Sequence, residues 1–126
     1  MTVPALTFDT GALIALERGD QRIRALIRRA AEREIPITVP AGVVAQTWRG
    51  GQQAQVARLL KAEHVEVVAL DDLDARAVGI LAGRCGHPDV IDVHVALVAK
   101  RAGATVITSD PGDIAAVDQT LTVEHI

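Results

Sequence analysis

Val3-Pro4-Ala5-Leu6-Thr7-Phe8-Asp9, followed by Thr10-Gly11-Ala12-Leu13-Ile14-Ala15-Leu16-Glu17, sets the pattern for the whole chain. Val3–Phe8 is a short apolar run of strand length that stops at Asp9. Gly11–Glu17 then continues as a helix. A strand with no polar face belongs inside a parallel sheet covered by helices. The alternation repeats outward. Gln21–Arg33 is a helix with Ile23, Leu26, Ile27 and Ala30 on one stripe, and Ile37–Val39 is a strand. Pro40 suits a helix start, Ala41–Arg49 continues it, Gly50-Gly51 breaks it and Gln53–Ala62 resumes it. Val65–Ala69 is a strand, and Leu73–Cys85 a helix ended by Gly86-His87-Pro88. Asp89–Arg101 is a helix stopped at Gly103, Thr105–Thr108 a strand, Ile114–Val117 a helical turn and Leu121–Glu124 a last strand. This order predicts an α/β fold with a mostly parallel central sheet and helices on both faces. Without a linker, repeat or low-complexity segment, residues 1–126 read as a single domain.

The composition excludes several classes. At 126 residues and 49% hydrophobic, the chain can bury a core, but Phe8 and Trp48 are its only aromatics, so base-stacking platforms are scarce. A single cysteine, Cys85, leaves no internal disulfide framework. No apolar run approaches the ~20 residues that cross a bilayer, and the N-terminus lacks a signal-peptide pattern. A cytoplasmic protein without membrane contact is expected. The net charge is −3. Residues 1–63 carry nine Lys/Arg against six Asp/Glu, whereas residues 64–126 carry four against ten. A basic half joined to an acidic half suits a phosphate-attracting surface beside a carboxylate cluster, or simply solvated helix faces.

The acids are not scattered. Asp9 closes the first strand, and Asp110 follows the strand Thr105–Thr108 by one residue. Asp89 and Asp92 sit three apart at one helix start, and Asp110 and Asp113 repeat that spacing at another. Each alone fits a helix cap, since Asp at such positions accepts orphan N–H bonds and suits the helix dipole. Capping does not account for five Asp, and no Glu, at the strand ends where open α/β sheets place their ligands. Short carboxylates on rigid termini suit a hard divalent cation such as Mg²⁺ or Mn²⁺. Converging carboxylates repel one another, and a cation relieves that repulsion. One or two such ions support phosphodiester hydrolysis by activating water and neutralising the phosphate.

Three segments resemble the PIN domain. They are Phe8-Asp9-Thr10-Gly11-Ala12-Leu13-Ile14-Ala15-Leu16-Glu17, Asp89-Val90-Ile91-Asp92-Val93-His94-Val95-Ala96-Leu97 and Val106-Ile107-Thr108-Ser109-Asp110-Pro111-Gly112-Asp113-Ile114. Length and order resemble the VapC toxins of type II toxin–antitoxin systems, over essentially the whole chain. The resemblance implies a three-layer fold with strand order 3-2-1-4-5 and Mg²⁺- or Mn²⁺-dependent endonucleolytic cleavage of RNA. It also implies a homodimer and a VapB-type antitoxin that sets a basic side chain over the acidic cleft. By position it makes Asp9, Asp92 and Asp110 the catalytic metal ligands, with Asp89 flanking Asp92 and Asp113 competing with Asp110. Thr10 and Thr108 become hydroxyl supports.

One position departs from that family. Its second acid falls in the segment Val43-Val44-Ala45-Gln46-Thr47-Trp48-Arg49, where this chain has Gln46. An amide oxygen is neutral and a poorer ligand. Either neighbouring acids compensate, or the domain is a catalytically weakened module that binds RNA or a partner. Gln46 could also be a solvated helix residue with the acid elsewhere, Glu17 and Glu63 being the nearest candidates. Arg49 is the candidate phosphate contact, or else a surface ion-pair partner. Arg22, Arg24, Arg28, Arg29 and Arg33 spread around their helix and read as solvated. His94 projects ~200° away from Asp92 and is expected in packing or a dimer contact. His87 lies in a loop beside Asp89, Trp48 is expected in the core or a dimer interface, and Cys85 is expected as a buried small hydrophobe. A phosphotransfer receiver domain is the other acidic α/β fold, but Asp9 stands alone and Val65–Leu70 holds no phosphoacceptor Asp.

Overall fold

The computed structural model describes residues 5–87 and 89–126. The elements are β1 (Ala5–Phe8), α1 (Thr10–Glu17), α2 (Gln21–Glu32), β2 (Ile37–Pro40), α3 (Ala41–Thr47), α4 (Ala54–Leu60), β3 (Val65–Val68), α5 (Asp72–Cys85), α6 (Val90–Ala102), β4 (Ala104–Thr108), α7 (Pro111–Val117) and β5 (Val123–His125). The start of the predicted first strand, at Val3 and Pro4, lies outside the described residues.

The five strands form one sheet in the order β3-β2-β1-β4-β5, and every pairing is parallel. Parallel neighbours need crossovers, and right-handed ones fix the layers. Steps from β1 to β2 to β3 run one way across the sheet, and the return to β4 and β5 runs the other way. Helices α1–α4 therefore cover one face and α5–α7 the other, with α6 lying across β2, β1 and β4. The order reverses between β1 and β4.

β1 is buried along its whole length because it is central. Phe8, Leu13, Ile37, Val39 and Ile107 meet in the larger core, while Val78, Val93, Ala96 and Val117 join α5, α6 and α7. Each fully buried side chain of this kind contributes about 1.5–3 kcal/mol of transfer free energy. The stripe on α2 turns inward as the spacing requires, with Ile23 and Ala30 buried and Leu26 and Ile27 half-buried. Gly86 (φ 67) and Gly103 (φ 61) end α5 and α6 in the left-handed region, where a side chain would be strained.

Of the two places expected for Trp48, the core is excluded: α3 stops at Thr47, the chain turns extended at Trp48, and the residue is 39% exposed. Cys85 is half-buried, because most of α5 stands outside the core.

Candidate active site

The sheet reversal sets the site. Phe8 pairs with Ile107, so the next residues, Asp9 and Thr108, emerge side by side at the carboxyl ends of β1 and β4. The Asp9 N–H donates to Ile107 O at 3.2 Å. Asp9 is only 7% exposed. It caps α1, its Oδ1 accepting from the Ala12 N–H at 3.0 Å, and the Thr108 hydroxyl also bonds its carboxyl. Burial nevertheless outweighs these contacts and raises its pKa, with the charge of Asp92 pushing the same way.

Asp92 arrives from the first turn of α6. Asp89 caps that helix, its Oδ1 accepting from Ile91 N at 2.9 Å and Asp92 N at 3.4 Å. The Asp92 carboxyl is raised by burial first, and then by the charges of Asp89 and Asp110, against the lowering contact of His87 Nε2 at 3.1 Å from Oδ2. Asp110 stands at the start of α7, placed by its N–H donating to Thr108 Oγ1 at 2.9 Å. Asp113, one turn on, is exposed and is raised by partial desolvation and by a hydrogen bond and repulsion from Asp110, with Asp92 adding to it. Asp9, Asp92, Asp110, Asp89 and Asp113 thus form one electrostatically linked group on three segments. Among the described residues, no group of three or more His, Cys, Asp or Glu side chains is arranged as it would be around a bound ion.

Gln46, on the last turn of α3, is exposed and accepts a hydrogen bond from Thr10 Oγ1, so it borders the same rim next to Asp9. Arg49 does something else. Its Nη1 donates to Ala45 O and Trp48 O, both at 3.1 Å, and its side chain caps the end of its own helix. Glu17 and Glu63 do not replace the missing acid. Glu17 Oε2 accepts from Gln55 N at 3.1 Å and Val56 N at 3.0 Å, capping α4, and Glu63 borders a separate surface groove. His94 is buried between α6 and its surroundings, with no hydrogen-bond partner for either ring nitrogen among the described residues. Its nearest acid is Asp74, at 3.8 Å, which also pairs with Arg101.

Two contacts had little signal in the sequence. His87, just past the end of α5, reaches Asp92 five residues further along the chain. Gly11 is pressed against the Asp110 segment, and a Cβ there would lie 2.0 Å from Ser109 Oγ and 2.8 Å from Ser109 Cβ.

A groove of about 590 Å³ lies away from this site. Leu16, Ile27 and Leu59 floor it, Arg24, Arg28 and Arg58 rim it, and none of the five aspartates lines it. Ligand-bearing oxygens and perturbed titration locate the chemistry better than volume does.

The PIN domain family model matches residues 6–119. The chain belongs to the PIN domain family. No curated protein sequence matches it. Solved structures similar to this PIN domain include FitAcB from Neisseria gonorrhoeae, at 20% identity and TM-score 0.62, with 94% of this chain and 95% of that one covered. FitAB bound to an IR36 DNA fragment is similar at 18% identity and TM-score 0.63, covering 95% and 94%. PAE2754 from Pyrobaculum aerophilum is similar at 18% and 0.62, covering 97% and 92%. At these identities the likeness speaks for the fold.

Proposed function

We propose that this PIN domain is an Mg²⁺- or Mn²⁺-dependent endoribonuclease of the VapC type, acting in the cytoplasm as the toxin of a toxin–antitoxin pair. The observation that carries the reading is the placement of Asp9, Asp92 and Asp110, from three separate segments, at the carboxyl-end rim of the sheet reversal, close enough for the charge of Asp92 to act on Asp9 and that of Asp110 to act on Asp92. Burial and like charge both disfavour the ionised forms of Asp9 and Asp92, and a divalent cation is the simplest group that reverses both effects. The donors fit: all are hard carboxylate oxygens on rigid helix starts. Asp9, Asp92 and Asp110 would hold the ion, with Asp113 and Asp89 behind them. A bound ion supplies a water nucleophilic near neutral pH and positive charge facing the scissile phosphate.

The chain's own groups do the rest. Ala12 N–H and Thr108 fix the Asp9 carboxyl, and Thr108 Oγ1 also places the Asp110 backbone. His87 orients Asp92 through one of its two oxygens. Thr10 engages the Gln46 amide oxygen. A VapB-type antitoxin and a homodimer complete the unit, and residues 1–126 act as one domain. The resemblance in the three acidic segments supports this assignment, and FitAB, solved on a DNA fragment, is consistent with a chain that works within a larger assembly.

RNA cleavage stimulated by Mn²⁺ or Mg²⁺, lost on chelation and lost in Asp9→Asn and Asp92→Asn, is the expected result. Metal-independent cleavage, or full activity in both variants, would refute the reading. Gln46 favours a second one, a PIN domain that binds RNA or a partner without cutting. Under the first reading Gln46→Glu changes an active enzyme modestly. Under the second it converts an inert protein into a metal-dependent nuclease.

A further inference from the structure

A nuclease with an acidic centre must hold its polyanionic substrate elsewhere, because the carboxylates repel phosphate. Arg49, the sequence candidate, is folded onto its own helix end. A groove of about 310 Å³ opens beside the acidic rim. It begins at Gly11 and Ser109, the chain neighbours of the Asp9-Thr10 pair and of Asp110, and runs along α1 past Ile14 and Ala15. It ends at Arg18 and Arg22. From Asp9 to Arg18 the helix rises ~13 Å, so the two arginines stand a short stretch of single strand away from the carboxylates.

We infer that this groove carries the RNA strand as it leaves the acidic centre, with Arg18 and Arg22 holding backbone phosphates and Ile14 facing the strand. The assignment rests on the ribonuclease reading. Both arginines are exposed. Arg22 has one acidic neighbour, Asp20, at 3.5 Å, but its side chain is 69% exposed and Asp20 is already occupied in capping α2 through Arg22 N and Ile23 N. An exposed pair of this kind is weak and exchanges readily for a phosphate. Two arginines against one aspartate leave this end of the groove net positive, opposite in sign to the rim where it starts. Ile14 is 37% exposed on the wall between them.

The test uses a fluorescein-labelled single-stranded RNA, with binding read by anisotropy across a salt series in an Asp9→Asn parent that does not cut. Arg18→Ala with Arg22→Ala should weaken binding roughly tenfold and flatten the log Kd against log salt slope by about 1.4, the value for two single-strand phosphate contacts. In the cleaving wild-type background the same pair should raise KM and leave kcat in place. Asp20→Asn, which keeps the cap, should tighten binding and steepen the slope, an effect no purely structural role would give. Unchanged affinity and slope in the double arginine variant, or a loss that appears instead in Arg28→Ala with Arg58→Ala, overturns the groove assignment alone. A folded parent that binds no RNA, with a wild type that cuts none, overturns the ribonuclease reading and the groove with it.

Discussion

Replacing Asp9 by Asn should make the metal-free protein more stable. Asp9 is buried, with 7% of the residue exposed, and among the described residues no Lys or Arg pairs with it. Its contacts are the Ala12 and Gly11 N–H groups and the Thr108 hydroxyl, donors that an amide oxygen also accepts from. Asn is also as good an N-cap as Asp. The substitution therefore removes a buried charge and little else. Relieving such a site is worth about 0.5–2 kcal/mol, which for a chain of this size raises Tm by ~2–12 °C, at ~3–6 °C per kcal/mol. The pH dependence has a definite sign. The folded pKa lies above the ordinary 3.8, so between those values the folded state binds more protons than the unfolded one. Wild-type stability then declines as pH rises through that window and levels off above it. The advantage of Asn should be absent below 3.8, grow through the window and hold at neutral pH. Mn²⁺ should invert the ranking: at 100 times Kd the ion stabilises wild type by about 2.7 kcal/mol, more than the substitution gains, while Asn, bringing no charge, gains less from it. Thermal unfolding with and without Mn²⁺, from pH 3.5 to 8, reads both effects, the pH values being about those that bracket the window. An Asn variant that melts at or below wild type without metal refutes the burial argument. Equal Mn²⁺ shifts in the two proteins refute Asp9 as a ligand.

Gly11→Ala should cost about 1–3 kcal/mol through overpacking and should lower cleavage further than stability, since the new Cβ drives into Ser109 and displaces Asp110; a variant as active as wild type would show that the segment yields freely. Glu17→Ala should cost about 1 kcal/mol by freeing the Gln55 and Val56 N–H groups, measured in urea, with metal affinity unchanged; a drop in metal affinity would place Glu17 in the site after all. Burial lowers the His94 pKa below the ordinary 6.5 despite Asp74 nearby, so the unfolded state takes up a proton more readily. Stability should fall as pH drops below 6.5, and His94→Gln should remove that slope; an unchanged slope would assign it to another group.

The fold was legible because its determinants are local. Apolar runs of strand length, stopped by Asp9 or Thr108 and separated by helical patterns, leave few arrangements for the chain, and parallel pairing with right-handed crossovers removes most of those that remain. The aspartates were legible for the same reason, since each sits at an element end and a switch point gathers such ends. What stayed hidden depends on side chains choosing between partners of similar energy. Arg49 donates to the carbonyls of its own helix end, a contact its place in the sequence does not distinguish from a phosphate or a surface acid. Glu17 could join the acids, yet the free amides at the start of α4 take it up across a long sequence separation. Trp48 could enter the core only if α3 ran one residue further, and the turn to an extended backbone at that residue points it outward. These choices follow one rule. A charged or amphipathic side chain near a helix end satisfies that end first, and the carboxylates whose local contacts do not offset burial, Asp9 and Asp92 among them, are the ones left to bind something else. A site of this kind is better sought among acids whose local contacts fail to offset burial than among all acids near a strand end. Capping separates two further acids: Asp89 already accepts two backbone bonds as a cap, whereas the Asp110 side chain caps nothing and keeps its oxygens for another partner.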